Sequence, residues 1–169
     1  MKVIRRLTTG EGALYRSVRL ESLRDSPKAF SSTYEDALAR SEESWSAQAD
    51  STASGSDRAT FVFVIDDKPC GLGAVYRDND EVEVGELIQM WISPGYRGSS
   101  AAEDLLNEIF HWAALNGFSR IKAEVQKDNK RAMKFYLNYG FVPSGDVSLH
   151  SDSSVMLTKS VDRDRTPHR

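Results

Sequence analysis

The stretch Trp91–Ala102, Trp-Ile-Ser-Pro-Gly-Tyr-Arg-Gly-Ser-Ser-Ala-Ala, holds the residue types best suited to binding an anion. An apolar run leads into a Pro/Gly turn, then an arginine and small residues, and an amphipathic helix follows. A helix N-terminus carries unpaired backbone N–H groups and a partial positive charge, so small residues there let a phosphate rest on the backbone. Arg97, Gly98, Ser99, Ser100, Ala101 and Ala102 occupy that position. The same residues admit a plainer reading. Ser100-x-x-Glu103 is also a capping box, and acids such as Glu103 and Asp104 each stabilise an empty helix start by roughly 0.3–1 kcal/mol. Downstream come groups that can move a proton: the carboxylate of Glu124 and the phenol of Tyr136, with Glu86 as a rival carboxylate. Read alone, Tyr136 suits a helix core face with Ala132 and Phe135, and a lone strand carboxylate is most often solvated or ion-paired.

These residues need elements to position them. Val3–Arg5 reads as a short strand, and Glu11–Arg24 as an amphipathic helix through Leu14, Val18, Leu20 and Leu23 that stops before Pro27. Shorter helices are expected at Thr33–Arg40 and, after Ser41 as N-cap, at Glu42–Gln48. Asp50–Asp57 carries nothing to bury and reads as a mobile surface loop. Phe61–Ile65 and Gly71–Arg77 form a hairpin across Asp66-Asp67-Lys68-Pro69. Glu81–Ile92 is a strand that begins in alternation (Val82, Val84) and becomes continuously apolar, and Trp91 reads as core. The main helix spans about Ser99–Asn116, with its stripe through Ala102, Leu105, Leu106, Ile109, Phe110 and Ala113 and with Gly117 at its end. Ile121–Gln126 is a strand that sets Lys122, Glu124 and Gln126 on the face opposite Ile121, Ala123 and Val125. Asn129 starts a helix to Tyr139, and Phe141–Val142 and Val155–Thr158 close the sheet. The charged tail Ser160–Arg169 has no core face and is expected to be disordered.

A chain of 169 residues is expected to form one domain. Twenty-two Lys+Arg against 25 Asp+Glu, with no basic block, argue against nucleic acid as a partner. No apolar run approaches the roughly 20 residues that span a bilayer, so no membrane partner is expected. The single cysteine, Cys70, excludes an internal disulfide and fits a reducing, cytoplasmic setting. His111, His150 and His168 are scattered without metal-ligand spacing, and no metal is expected.

In order and register these segments resemble the cofactor half of the GNAT superfamily of acyl-CoA-dependent N-acyltransferases. The resemblance implies an α/β (α+β) single-domain GNAT-like fold over Met1–Lys159: a central mixed, mostly antiparallel sheet of 6–7 strands, about 4 helices, and a splay at the cofactor cleft. It implies acetyl-CoA as acyl donor and a small-molecule or peptide amine as acceptor, joined in a ternary complex. In the family's Arg/Gln-x-x-Gly-x-Gly/Ala turn, Arg97 takes the first place and Ala102 the last, and Ser100 stands where the middle glycine would be. The family's Asn-x-x-Ala-x-x-Phe-Tyr stretch is matched by Asn129, Ala132, Phe135 and Tyr136. There the tyrosine would protonate the departing thiolate, which suits a phenol of reference pKa about 10 facing a thiol near 8.5. Glu124 matches a glutamate that acts as base through water in the similar ribosomal-protein N-terminal acetyltransferases, and Glu86 is the rival base. The family also has a strand bulge near Met90, Trp91 and Ile92 that admits the pantetheine arm and turns an N–H toward the thioester carbonyl. The implied acceptor walls are Ser26–Phe30 through Tyr34, the loop Asp50–Asp57 and Asp146–Ser154, whose Phe30, Tyr34, His150 and Asp152 imply neither a strongly acidic nor a strongly basic substrate. Family members often form homodimers. The alternative function is a non-catalytic acyl-CoA-binding module of the same fold.

Overall fold

A seven-stranded sheet in the order β1-β2-β3-β4-β5-β7-β6 organises the computed structural model, which describes residues 1–146 and 153–162. The strands are β1 (Lys2–Arg6), β2 (Arg58–Ile65), β3 (Lys68–Arg77), β4 (Val84–Ile92), β5 (Arg120–Gln126), β6 (Val142–Pro143) and β7 (Ser154–Ser160). Every pairing is antiparallel except β4 with β5. The helices are α1 (Gly12–Asp25), α2 (Tyr34–Leu38), α3 (Glu42–Ser51), α4 (Ala101–Leu115) and α5 (Lys130–Tyr139). No helix among the described residues is long and apolar enough to cross a membrane.

Each face of the sheet buries its own apolar cluster. Leu105, Leu106, Ile109 and Ala113 of α4 pack with Phe61, Val75, Leu87 and Ile121, while Tyr15, Val18 and Leu23 of α1 pack with Trp45, Val62, Leu72 and Trp91. Gly12 lets α1 meet α3 closely, since a Cβ there would lie 2.8 Å from the Ser46 Cα. Local chemistry sets the boundaries. Thr33 and Ser41 cap α2 and α3 by accepting from the Asp36 and Ser44 amides, and Asp66 and Asp67, both at positive φ, make the two-residue turn between β2 and β3.

Several expectations are corrected. α3 runs on to Ser51, and the segment after it is tied to the sheet by hydrogen bonds: Arg6 donates to the Thr52 and Gly55 carbonyls, and Arg77 to that of Ser56. β4 starts at Val84, because the Asp78 carboxylate accepts from the Asp80 and Glu81 amides and holds a turn there, leaving Val82 66% exposed. Ser100 does not cap α4; its hydroxyl donates to Asp104 Oδ2 at 2.9 Å. β7 includes Ser160, and the buried Val161 donates its amide to the Ser119 carbonyl. The expected acceptor-wall residues His150 and Asp152, and most of the tail, lie outside the described residues.

The middle of the sheet is where the site is made. β3 and β4 slip register between the pairs Ala74↔Ile88 and Leu72↔Trp91, and Gln89 in that bulge has φ 61°. β4 and β5 pair only over Val84–Leu87 with Arg120–Ala123. Beyond that point β5 continues with β7 alone, through Gln126, and the C-terminal half of β4 keeps only β3. The two parallel strands therefore fork.

Candidate active site

A cleft of about 1180 Å³ opens at this fork. Met90, Trp91 and Ile92 of β4 form one side, the turn Arg97–Ser99 with Ala102 and Glu103 of α4 one end, and Asn129, Ala132, Phe135 and Tyr136 of α5 the other side. The segment from Asp25 to Phe30 closes it over the end of α1. The structure thus brings most of the expected cofactor residues to one space. Ser100 and Ala101 do not line it; Ala101 is buried in the core beneath.

At the turn, Gly98 takes φ +82°, a conformation that costs an L-residue about 1–2 kcal/mol, while Ser100 sits at φ −79°. The positive φ falls on the glycine that is present, so Ser100 carries no backbone strain. Because the Ser100 hydroxyl turns to Asp104, the helix start stays open. The amides of Gly98, Ser99, Ser100, Ala102 and Glu103 donate to no described protein group, and that of Ala101 reaches Ser99 Oγ at 3.3 Å. Orphan N–H groups at the positive end of a 15-residue helix form an anion cradle. This is the observation by which the chain fits a diphosphate.

Arg97 is held in place by other protein groups. It donates from Nε to the Ile92 carbonyl at 2.9 Å and from Nη2 to Asp25 Oδ2 at 2.7 Å, and Trp91 Nε1 reaches the same oxygen at 2.9 Å. Burial opposes the Asp25 charge, but the hydrogen bonds from Trp91, Ser26 and Arg97 outweigh it and hold the carboxyl below its ordinary pKa. Asp25 thereby ties the end of α1 to β4 and the turn. It was missed in the sequence because the pair spans 72 residues.

Tyr136 is 8% exposed, with its ring edge-on to Phe141 at 5.2 Å. Burial raises its pKa well above that of a free phenol, so Oη keeps its proton. That hydroxyl makes no hydrogen bond to a described residue. Asn129 and Ala132 have a local role as well, since the Asn129 side chain accepts from the Ala132 amide at 3.2 Å and starts α5.

Glu124 and Glu86 lie outside the cleft lining. Their strand parity puts them with Lys122 on the α1 face of the sheet, Glu86 one residue before the last β4–β5 pair, Leu87↔Ala123, and Glu124 one residue beyond it. They straddle the fork. Ser154 donates a short hydrogen bond to Glu124 Oε2, and Glu86 lies opposite Tyr76.

Comparison with known proteins bears on this geometry. Residues 20–141 match the model of the acetyltransferase (GNAT) family. An uncharacterized N-acetyltransferase of Mycobacterium bovis is 37% identical over 81 residues, which are 45% of this chain and 52% of that protein. The aligned stretch thus spans about half the length of this curated relative. Among solved structures, the acetyltransferase of GNAT family from Streptococcus pneumoniae superposes with TM-score 0.81 at 20% identity, covering 95% of this chain and 99% of that one. The PaiA N-acetyltransferase from Thermoplasma acidophilum, in complex with coenzyme A, gives 0.77 at 19% identity, covering 95% and 99%. At these identities the structural likeness concerns the fold.

Proposed function

Because the chain belongs to the GNAT acetyltransferase family, we propose that it transfers the acetyl group of acetyl-CoA to a primary amine of a small molecule or peptide, by direct attack within a ternary complex. The carrying observation is the fork: a cleft with an open amide cradle at one end and a protonated, unengaged phenol on its wall. Acetyl-CoA supplies the activated acyl group as a thioester. The orphan amides of Gly98, Ser99, Ala102 and Glu103 bind its diphosphate, helped by the α4 dipole. The β5-facing edge of β4 past Leu87 offers main-chain groups that orient an extended arm as an added strand would. Asp25 and Arg97 fix that edge. Tyr136 Oη holds the proton that the leaving sulfur requires.

The amine approaches from the α1 face, where Glu124 takes its proton, directly or through water; Glu86 is the rival for this role. An ammonium has no lone pair with which to attack, and an α-amine of reference pKa near 8 gives up its proton more readily than a lysine near 10.4. Glu103 and Asp104 beside the cradle favour a second reading, a module that binds acyl-CoA without turnover, because both acids oppose an incoming anion. Thiol release from acetyl-CoA across an amine panel, run beside calorimetry with CoA, decides between them. Turnover with at least one amine is expected; binding without turnover would leave the module.

A further inference from the structure

Among the described residues, one buried charge has no carboxylate counter-charge. Arg19 of α1 is only 6% exposed, yet its guanidinium makes one hydrogen bond, from Nη1 to Ser22 Oγ at 3.2 Å, and lies 4.6 Å over the Phe30 ring. No described carboxylate forms an ion pair with it. A second arginine makes this worse. Arg40 lies near enough to oppose Arg19's charge, is spent on Ser44 and stacks over Trp45 at 3.9 Å, and it too has no partner among the described carboxylates. The other ionisable side chains that act on Arg19 are phenols: Tyr15, which donates to Gln89 Oε1 at 2.9 Å, and Tyr76, which accepts from Gln48 Nε2 at 3.1 Å.

Burying a guanidinium without a counter-charge is costly, and aromatic stacking offsets it without neutralising it. Arginine does not escape by losing its proton. Arg19 on the inner face of α1 and Arg40 in the connection between α2 and α3, with no described carboxylate paired to either, describe half of an ion pair. The location says which ligand supplies the other half. Tyr15 ties this cluster to Gln89 in the β4 bulge, and Phe30, on which Arg19 stacks, lines the cleft. The cluster therefore stands beside the fork on the face that also carries Glu86 and Glu124.

We propose that Arg19, supported by Arg40, is the specificity group for the acceptor, and that the acceptor is an amine that also carries a carboxylate, of the amino-acid class. The Nε and Nη2 edge that Ser22 leaves free offers two parallel donors, which match the two oxygens of a carboxylate. This rests on the acetyltransfer reading above.

The test compares amino acids with their C-terminal amides and decarboxylated amines as acceptors for the full chain at saturating acetyl-CoA. The free carboxylate is expected to raise kcat/KM about 10- to 100-fold, chiefly through KM. Arg19→Met should collapse that ratio while the CoA dissociation constant from calorimetry is retained, and Arg19→Lys, which keeps charge but loses the fork, should fall between. A thermal-shift titration with the amino acids alone separates the two claims: a rise in Tm that Arg19→Met abolishes supports the site even if no amine turns over. Equal kcat/KM for acids and amides overturns the proposal, as does a preference for phosphoethanolamine over the carboxylates. With no turnover at all, an absent amino-acid shift in the wild type overturns it. Should Arg19→Met not fold, the wild-type acid-to-amide ratio and Arg19→Lys decide alone.

Discussion

Tyr136→Phe separates chemistry from packing because of where the hydroxyl sits. The ring packs edge-on against Phe135 at 5.3 Å and Phe141 at 5.2 Å, and phenylalanine keeps both contacts. The hydroxyl makes no hydrogen bond to a described residue, so deleting it strands no buried partner, and stability should change by no more than about 0.5 kcal/mol. Catalysis should respond differently. A positioned general acid contributes 10²–10⁴-fold, and a thiolate of reference pKa about 8.5 is a tolerable leaving group without one, so kcat should fall by about 10²-fold, near 2.7 kcal/mol. The cradle amides lie on another element, so the dissociation constant for CoA should hold within about threefold. The assay is steady-state thiol release at saturating acetyl-CoA and amine, with Tm and calorimetry on the same preparations. Burial raises the Tyr136 pKa, so in the free protein its proton stays on through the ordinary assay range and should not produce an alkaline limb. Retention of more than half of kcat would refute the reasoning, as would a kcat loss matched by a Tm drop of about 4 °C or more.

Gly98→Ala should weaken CoA binding more than Ser100→Gly. A Cβ at Gly98 meets no atom within 4 Å, so the cost there is the φ of +82° alone, about 1–2 kcal/mol, and calorimetry with CoA ranks the two. Gln89→Val should destabilise by more than about 1 kcal/mol in urea unfolding, since a β-branched residue resists φ 61°; Gln89→Gly should cost less. The hydrogen bonds from Arg5 hold the Glu11 pKa at about 2 against burial, from an ordinary 4.5. Its folded pKa is depressed, so its contribution is present above pH about 4.5 and lost as pH falls toward 2; Glu11→Gln should flatten that acid limb of Tm against pH.

The features legible in the sequence are those settled by neighbours within a few residues. Asn129 caps α5 through an amide three positions on, Asp66 and Asp67 turn the hairpin, and the α4 stripe follows from helical spacing. Where distant groups decide, nearby sequence carries no signal. The segment after α3 has small polar side chains with nothing to bury, and what ties it down is its backbone carbonyls, bound by Arg6 and Arg77, residues that arrive from β1 and β3. Ser100 looked like a cap because Glu103 lies three residues on, yet Asp104 is the acid its hydroxyl meets. The bulge had no local signal at all: Gln89 is an ordinary strand residue by type, and its positive φ follows from the register that β3 imposes.

The same logic explains why the candidate acceptor site was the least legible part. Polarity patterning assigns every arginine of an amphipathic helix to solvent, and in α1 that assignment fails at Arg19. The position lies four residues after Tyr15 and four before Leu23, both buried, so helical geometry places it on the inner face whatever its side chain. An inward arginine stays invisible to a pattern that scores charge as outside, until the partners of each charge are counted in three dimensions. An apolar residue there would avoid the desolvation penalty altogether, and the Phe30 ring beside the guanidinium supplies apolar surroundings for it. On the proposal above, the acceptor's carboxylate supplies the counter-charge that the Arg19 guanidinium lacks among the described residues.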